Sequence, residues 1–199
     1  MRLETGRLIL RPPRKSDWKD IVEGIGDITV SRNLKVVPYP YYKKDALAWI
    51  GKSLEHWKQK EKKDCTFMIE LKSERKLIGA TGLHKINNIC KKAETGSWIN
   101  KKYWRRGYIL EAKVPVLDFA FNKLKLNKIE TGAFVENIAS NRMSLKLGFK
   151  EEGIRKRTVV CKATGKIHDE NLYGLFKEEW LKTKPKIIKE GGIKIKNDK

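Results

Sequence analysis

A short basic loop with one glycine constrains the fold of this chain more than any other feature. The loop, Tyr-Trp-Arg-Arg-Gly-Tyr at residues 103–108, follows a strand-like segment at residues 93–99 and leads into apolar residues at helical spacing. The first backbone N–H groups of the helix that follows have no partner inside it, and they lie beside two arginines. This order predicts an α/β fold with a pyrophosphate site at the loop.

Hydrophobic periodicity predicts that strands and helices alternate along the rest of the chain. Strands are predicted at residues 8–11, 65–71, 77–86, 93–99, 129–135, 149–161 and 167–175. Helices are predicted at residues 45–60, after the glycine loop, and in a short segment that Ser140 caps and Gly148 ends. The helix after the loop carries an apolar stripe that faces the core. The pattern predicts a mixed sheet with helices on both faces.

Several sequence motifs occur together and in a fixed order. They are Trp104-x-x-Gly107-x-Ile109, the segments at residues 4–11, 93–99 and 165–173, and an Asn-initiated block at residues 137–149. On these motifs the chain resembles the GNAT superfamily of acetyl-CoA-dependent N-acetyltransferases over about residues 3–177. Within that superfamily it is most similar to the branch of ribosomal-protein N-terminal acetyltransferases.

The resemblance implies the GNAT fold, with a mixed, mostly antiparallel central sheet of about seven strands. Helices would cover both faces, and two strands would splay apart at the acetyl-CoA cleft. The GNAT domain is expected at residues 1–181 and a basic C-terminal tail at residues 182–199. Proline and glycine in the tail favour a mobile segment, although the alternation at residues 193–196 would also fit an extra edge strand. Its lysines suggest an electrostatic arm for RNA or a ribosome.

The resemblance also implies which residues hold acetyl-CoA, the expected cosubstrate. Backbone N–H groups at Trp98 and Ile99 would bind the acetyl carbonyl and the pantetheine arm. The pyrophosphate would lie on Arg105, Arg106, Gly107, Tyr108, Ile109 and Leu110. Ile109 stands where relatives carry a small residue, and its side chain would narrow the cradle if it pointed inward. Asn137 is assigned to the pantetheine region, or is an ordinary turn residue after a strand.

Transfer of an acetyl group to an amine needs a base for the amine, stabilisation of the oxyanion and a proton for the thiolate. The resemblance offers Glu94 as the base, unless it is an ordinary solvated strand residue, with His84 as a second candidate. Ser144 or Ser140 would be the acid, although Ser140 is equally consistent with a helix cap. Asp169 and Tyr173 are expected either to shape the acceptor pocket or to tie the last strands together.

Composition bounds the partners of the protein. The three cysteines are far apart and the three histidines are isolated, so no disulfide or metal site is predicted. No apolar stretch is long enough for a membrane span and no signal peptide is recognised, so we expect a cytoplasmic monomer or homodimer without a membrane partner. Lys and Arg number 45 against 24 acidic residues, a net charge of +21. This charge indicates polyanionic partners, such as a ribosome or RNA, or simply reflects a lysine-rich proteome.

Three functions are compatible with the sequence. The first is acetylation of a protein, at the N-terminal α-amine of a ribosomal-protein-like substrate or at a lysine. The second is acetylation of a small amine such as a polyamine or an aminoglycoside, and the third is a non-catalytic module that binds CoA or RNA. A domain of net charge +21 repels small cations unless its pocket is acidic, and the sequence shows no acidic cluster besides residues 151–152. The charge therefore favours a protein acceptor.

Overall fold

The structure is a computed structural model that describes residues 1–196. This part of the chain forms an α/β fold. Its strands are β1 (Leu3–Thr5), β2 (Leu8–Arg11), β3 (Cys65–Leu71), β4 (Lys76–Asn87), β5 (Lys92–Ile99), β6 (Lys128–Phe134), β7 (Lys150–Val160), β8 (Ile167–Phe176) and β9 (Ile195–Lys196). Its α-helices are α1 (Trp18–Ile25), α2 (Ile28–Ser31), α3 (Lys43–Lys58), α4 (Tyr108–Asp118), α5 (Ile138–Lys146) and α6 (Lys177–Gly191).

The described strands form one sheet in the order β7-β8-β6-β5-β4-β3-β2-β1-β9. Neighbouring strands are antiparallel except β5 and β6, which are parallel. The mixed, mostly antiparallel sheet expected from the sequence is confirmed. The seven predicted strands are present, and two short ones, β1 and β9, bring the total in the described residues to nine.

The sheet divides between β5 and β6, and we call the gap between residues 95–99 and 131–134 the fork. The two strands pair only from Lys92↔Lys128 to Glu94↔Glu130. Beyond that point β5 continues along β4 and β6 continues along β8. At the base of the fork, Thr131 Oγ1 donates a hydrogen bond to Thr95 O at 2.9 Å.

Two hydrophobic clusters lie on opposite faces of the sheet. The larger cluster packs α4 and α6 against the sheet and includes Phe121 and Trp180. The smaller cluster packs α1 and α3 against the other face and includes Ile21, Ile50 and Trp98. Each fully buried large side chain contributes about 1.5–3 kcal/mol to stability. We name the two sides the α4 face and the α1 face.

The C-terminal segment is not the mobile tail that its proline and glycine favoured, and the alternative of an extra edge strand at residues 193–196 is confirmed by β9. Helix α6 crosses the predicted boundary between residues 181 and 182, and Ile187 is buried in the larger cluster. Gly192 ends the helix with a left-handed φ of 57°, Ile193 is buried, and β9 then pairs with β1. Burial of these isoleucines outweighs the helix penalty of Pro185, which lies inside α6. Residues 197–199 of the predicted tail lie outside the described residues.

Among residues 1–196 no helix combines the length and the apolar character needed to cross a bilayer.

Candidate active site

Helix α4 begins shortly after the end of β5, and a left-handed glycine starts it. Gly107 is the N-cap and has φ of 75°, a conformation that strains any residue with a side chain. Arg105 also has a positive φ, 61°. Because Glu111 N is the donor to Gly107 O at 3.0 Å, the N–H groups of residues 108–110 precede the hydrogen-bonded ladder of the helix. They provide a positive, concave surface suited to an anion.

An ion pair holds this loop to the turn between β1 and β2. Glu111 is 3% exposed and accepts hydrogen bonds from Thr5 Oγ1 at 2.6 Å and from Arg7 Nε at 2.6 Å. Arg7 NH1 also donates to Arg106 O at 3.1 Å, and the guanidinium lies 4.5 Å from the centre of the Tyr108 ring. Arg7 therefore neutralises Glu111 and fixes the backbone of the loop.

The remaining loop side chains leave the concave surface open. Ile109 packs against the larger core cluster, so its branched side chain does not narrow the cradle. Arg105 and Arg106 are exposed beside the helix start. Both guanidinium groups can therefore approach a phosphate bound at the amides.

At the end of β5, the backbone N–H groups of Trp98 and Ile99 point in opposite directions. Asn100 N donates to Ile78 O on β4 at 2.8 Å. Because N–H groups alternate along a strand, the Ile99 N–H points away from β4 and into the fork, whereas the Trp98 N–H points toward β4. The Trp98 side chain packs on the α1 face beside Gly24. The assignment of Trp98 to the cofactor is thus corrected, and Ile99 keeps a suitable orientation.

A cavity of about 590 Å³ lies beside the loop. Its walls come from the β1–β2 turn, the start of α4, the end of α5 and the turn between α6 and β9. Four basic residues line it, Arg7, Arg106, Lys146 and Lys194, and the acidic lining residue Glu111 is the one paired with Arg7. Its size and charge suit a phosphorylated nucleotide.

Hydrogen bonds fix helix α5 to the end of β6. Asn137, rather than Ser140, is the N-cap, and its Oδ1 accepts a hydrogen bond from Ser140 N at 3.1 Å. Asn141 Nδ2 donates to Phe134 O at 3.0 Å, and Asn141 Oδ1 accepts from the Tyr173 hydroxyl at 3.0 Å. Tyr173 is buried. Its hydroxyl therefore positions α5 and does not line an acceptor pocket.

The two other polar candidates of this region are occupied by local contacts. The buried Ser144 hydroxyl donates to Ser140 O at 3.1 Å, so it is turned back onto its own helix and away from the role of acid. Asp169 Oδ1 accepts a hydrogen bond from Arg157 N at 2.8 Å. That contact joins β8 to β7, which was the second interpretation of Asp169.

A buried lysine lies at the base of the fork on the α4 face. Lys113 Nζ donates to Thr95 Oγ1 at 2.7 Å and to Gly96 O at 3.3 Å. Among the described residues no carboxylate forms an ion pair with it. Burial lowers the pKa of Lys113 from 10.5 to about 7. The amine is therefore partly neutral near pH 7.

A histidine and a carboxylate lie on the opposite, α1 face. His84 Nδ1 lies 3.1 Å from Asp64 Oδ1, and His56 Nδ1 lies 3.3 Å from Asp64 Oδ2. Burial acts to raise the pKa of Asp64, but the hydrogen bond from His84 and the charges of both histidines lower it overall. His84 Nε2 would lie 3.9 Å from a Cβ on Gly96. With Nδ1 held, Nε2 is the nitrogen that can exchange a proton beside β5.

Glu94 lies directly across the β4–β5 ladder from His84. The structure thus brings the two predicted bases together on one face. Glu94 Oε1 accepts a hydrogen bond from Lys85 Nζ at 2.8 Å, and its side chain is 45% exposed. It also stands at the last β5 residue that pairs with β6. His84 is better oriented than Glu94, because the half-buried Asp64 carboxylate holds its ring.

Several residues of the site escaped the reasoning from sequence. They are Arg7, Asp64, Glu111, Lys113 and the buried Glu170, which pairs with Lys35. Arg7 and Glu111 are 104 residues apart, and Asp64 and His84 are 20 apart. A signal existed for Glu111 and Lys113, since both are charged residues inside an otherwise apolar run. No local signal marked the others.

A phosphate cradle on one face of a divided sheet and a carboxylate–histidine pair on the other suit an enzyme that transfers a group from a nucleotide cofactor. Residues 7–150 match the acetyltransferase (GNAT) domain. The chain therefore belongs to the GNAT acetyltransferase family, and it is an acetyl-CoA-dependent N-acetyltransferase. The residues of the α4 face fit this cosubstrate, because the loop offers backbone amides and the cavity beside it is lined by basic side chains.

Similar proteins extend over most of the chain. The "Uncharacterized N-acetyltransferase YoaA" of Bacillus subtilis is 30% identical over 180 residues, which cover 88% of this chain and 96% of YoaA. The "Putative ribosomal N-acetyltransferase YdaF" of the same organism is 35% identical over 104 residues, 52% of this chain and 56% of YdaF. The solved GNAT acetyltransferase of Bacillus anthracis has a TM-score of 0.77 and 26% identity, covering 89% of this chain and 99% of its own.

Residues 1–196 contain no group of three or more His, Cys, Asp or Glu side chains placed to hold a metal ion.

Proposed function

We propose that this N-acetyltransferase acts on the N-terminal α-amine of a protein. One observation supports a polypeptide acceptor, namely the apolar side chains exposed at the end of the β7–β8 hairpin and in the neighbouring segment between α2 and α3. Val36 is 80% exposed, and Val160 and Ile167 are 55% and 62% exposed. They lie near one another, because Lys162 N donates to Lys35 O at 3.0 Å. Neighbouring exposed apolar groups are typical of surfaces that bind polypeptides.

A ribosomal-protein-like substrate is the finer part of the proposal. It is supported by YdaF, which shares 35% identity over about half of this chain and is named as a putative ribosomal N-acetyltransferase. The net charge of +21 is also suited to work near rRNA. We extend the proposal to a cytoplasmic location and to association with ribosomes, with a monomer or homodimer as the working form.

The proposed mechanism is direct attack of the amine on the thioester. His84 Nε2, held by Asp64, takes a proton from the amine directly or through water. The Ile99 N–H, which points into the fork, stabilises the oxyanion as the C–N bond forms. Ser140, in the first turn of α5, relays a proton from water to the thiolate as the C–S bond breaks, so its own hydroxyl is restored, and the proton that His84 took is released to solvent. Each of these contributions is worth a few kcal/mol of transition-state stabilisation.

A small cationic amine is the second candidate acceptor, and a structural observation favours it. The sequence suggested no acidic pocket, yet the α1 face carries Glu94, Glu130 and the buried Glu170 near the fork. Each of these carboxylates is paired with a lysine. Such pairs reduce the acidic field but leave groups that can bind an ammonium.

A turnover screen with acetyl-CoA tests the proposal. Three acceptor sets are needed: lysine-free peptides with a free N-terminus, N-terminally blocked peptides with one lysine, and polyamines or aminoglycosides. We expect the highest kcat/KM on the first set. Higher values on the third set would favour the second candidate, and turnover on none of the sets would contradict the proposal.

A further inference from the structure

Glu170 of β8 is a buried carboxylate at the open end of the fork. Its side chain is 4% exposed, and a Cβ on Gly132 of β6 would collide with it. In the β6–β8 ladder Glu170 is the partner of Phe134. Phe134 lies well beyond Glu130, the last residue of β6 that pairs with β5. The carboxylate therefore stands where the two strands have separated.

Lys35 supplies the positive charge that this carboxylate needs. Lys35 Nζ donates a hydrogen bond to Glu170 Oε1 from the segment between α2 and α3, 135 residues away in sequence. The lysine side chain is 37% exposed and approaches from the solvent side. A buried carboxylate is costly without a cation, whereas a partly exposed lysine is easily hydrated. Glu170 therefore requires a cation, but the cation need not be Lys35.

The position of Glu170 matches the path of an acceptor. Strand alternation places Glu170 and Gly132 on the α1 face, the face that also carries His84. The cradle for the cofactor lies at the start of α4, which packs on the opposite face. An amine that approaches the fork from the α1 face therefore meets the side of the sheet that carries the Glu170 carboxylate. At neutral pH an aliphatic primary amine is an ammonium ion with the same three N–H donors as Lys35.

We propose that Glu170 binds the ammonium group of the acceptor, and that Lys35 occupies this position as a displaceable internal competitor when no acceptor is bound. This inference rests on the proposed acetyltransferase reaction and defines its substrate class as a primary amine that binds as an ammonium ion. Acceptor binding exchanges one carboxylate–ammonium pair for another. The displaced Lys35 returns to water, so the exchange costs little free energy.

Chemical rescue tests this subsite without any turnover. In Lys35→Met the Glu170 carboxylate loses its cation, and butylammonium chloride at about 50 mM should raise the Tm by about 3 °C or more relative to sodium chloride. The wild-type protein and Lys35→Met/Glu170→Gln should show no such difference between the two salts. Equal shifts in all three proteins, or no shift in Lys35→Met, would overturn the proposal.

Steady-state kinetics with the best acceptor of the screen provides a second measurement. Glu170→Gln should raise the acceptor KM at least tenfold and leave the KM for acetyl-CoA unchanged. Lys150→Met is the matched control, because Lys150 is a surface lysine that pairs with Glu179 at 2.6 Å. An unchanged acceptor KM in Glu170→Gln would overturn the proposal. Failure of the wild type to acetylate any amine would contradict the proposed function, while the rescue experiment would still decide the role of Glu170.

Discussion

The two faces of the fork are constructed by different physical means. On the α4 face the candidate cofactor site consists mainly of backbone amides at the start of a helix. The left-handed conformation of Gly107 presents these amides, and the Ile109 side chain leaves them open because it packs against the larger cluster. On the α1 face the candidate acceptor site consists of side chains, and each charge has a partner from another element. Asp64 holds His84, and Lys35 pairs with Glu170.

This difference shows how the molecule separates binding from selection. A substitution replaces a side chain and leaves the backbone amide in place. A site made of backbone amides therefore suits a cosubstrate that the whole family shares. Side-chain pairs depend on single residues and can be exchanged without altering the sheet. The α1 face is therefore where we expect acceptor specificity to reside.

The largest expected effect concerns the C-terminal part of α6 and β9, which pack on the α4 face. Deleting residues 182–199 removes the buried Ile187 and Ile193 and should lower the free energy of unfolding by about 4 kcal/mol. Urea unfolding measures this loss. Leu181→Ala, which truncates a side chain that is 52% exposed, is the control and should cost less than about 1 kcal/mol. A deletion without effect on stability would mean that α6 does not belong to the core.

The second effect tests the α1 face and separates its two candidate bases. His84→Gln should lower kcat about 100-fold, close to 2.7 kcal/mol, and leave the Kd for CoA unchanged. Glu94→Gln is the matched control and should change kcat less than about threefold, because Lys85 already holds its carboxylate. The reverse result would give the role of base to Glu94.

A third effect concerns the buried Lys113 and depends on pH. Its pKa of about 7 in the folded protein lies below the ordinary value of 10.5, so the unfolded chain binds more protons between these values. Stability should therefore rise with pH from about 7 to about 10, and below pH 7 this lysine should add no slope. Lys113→Met should flatten that rise. It should also stabilise the protein at pH 7 by about 1.5 kcal/mol, since the gain from removing a buried amine exceeds the two lost hydrogen bonds.

Urea titrations at pH 7 and pH 9.5 measure this difference between the wild type and Lys113→Met. Lys184→Met is a suitable control, because Lys184 of α6 is 27% exposed and pairs with Asp118 at the C-terminal end of α4, the helix that carries Lys113. An equal pH slope in the wild type and in Lys113→Met would contradict the assignment.

The smallest expected effect concerns the exposed arginines of the α4 face. Replacing Arg105 and Arg106 together by Ala should weaken CoA binding at least tenfold, about 1.4 kcal/mol. Calorimetry at low and moderate salt measures the change, which should shrink as salt rises. An unchanged affinity would show that backbone amides alone carry the pyrophosphate.

Much of the fold was predictable because its signals are local. The predicted strand at residues 65–71 coincides with β3, and the other predicted strands agree with the structure to within two residues at each end. The glycine loop was likewise predictable, since Gly107 and the helix behind it are consecutive in sequence. The start of α5 and the helix that continues beyond residue 181 were not, although the edge strand at residues 193–196 was one of two predicted alternatives. Ser140 and Asn137 are both acceptable caps, and Ile187 matters only when α4 is there to bury it.

By itself the sequence determined the α/β class, the family resemblance and the position of the phosphate cradle. These depend on the order and spacing of apolar residues, glycine and charged residues along the chain, and that pattern exists before the chain folds. Only the tertiary structure decided that Trp98 faces away from the cofactor, that Asp64 orients His84, and that Lys35 meets Glu170. The free energy of those contacts depends on burial and on partners far apart in sequence, and both exist only after the sheet has formed.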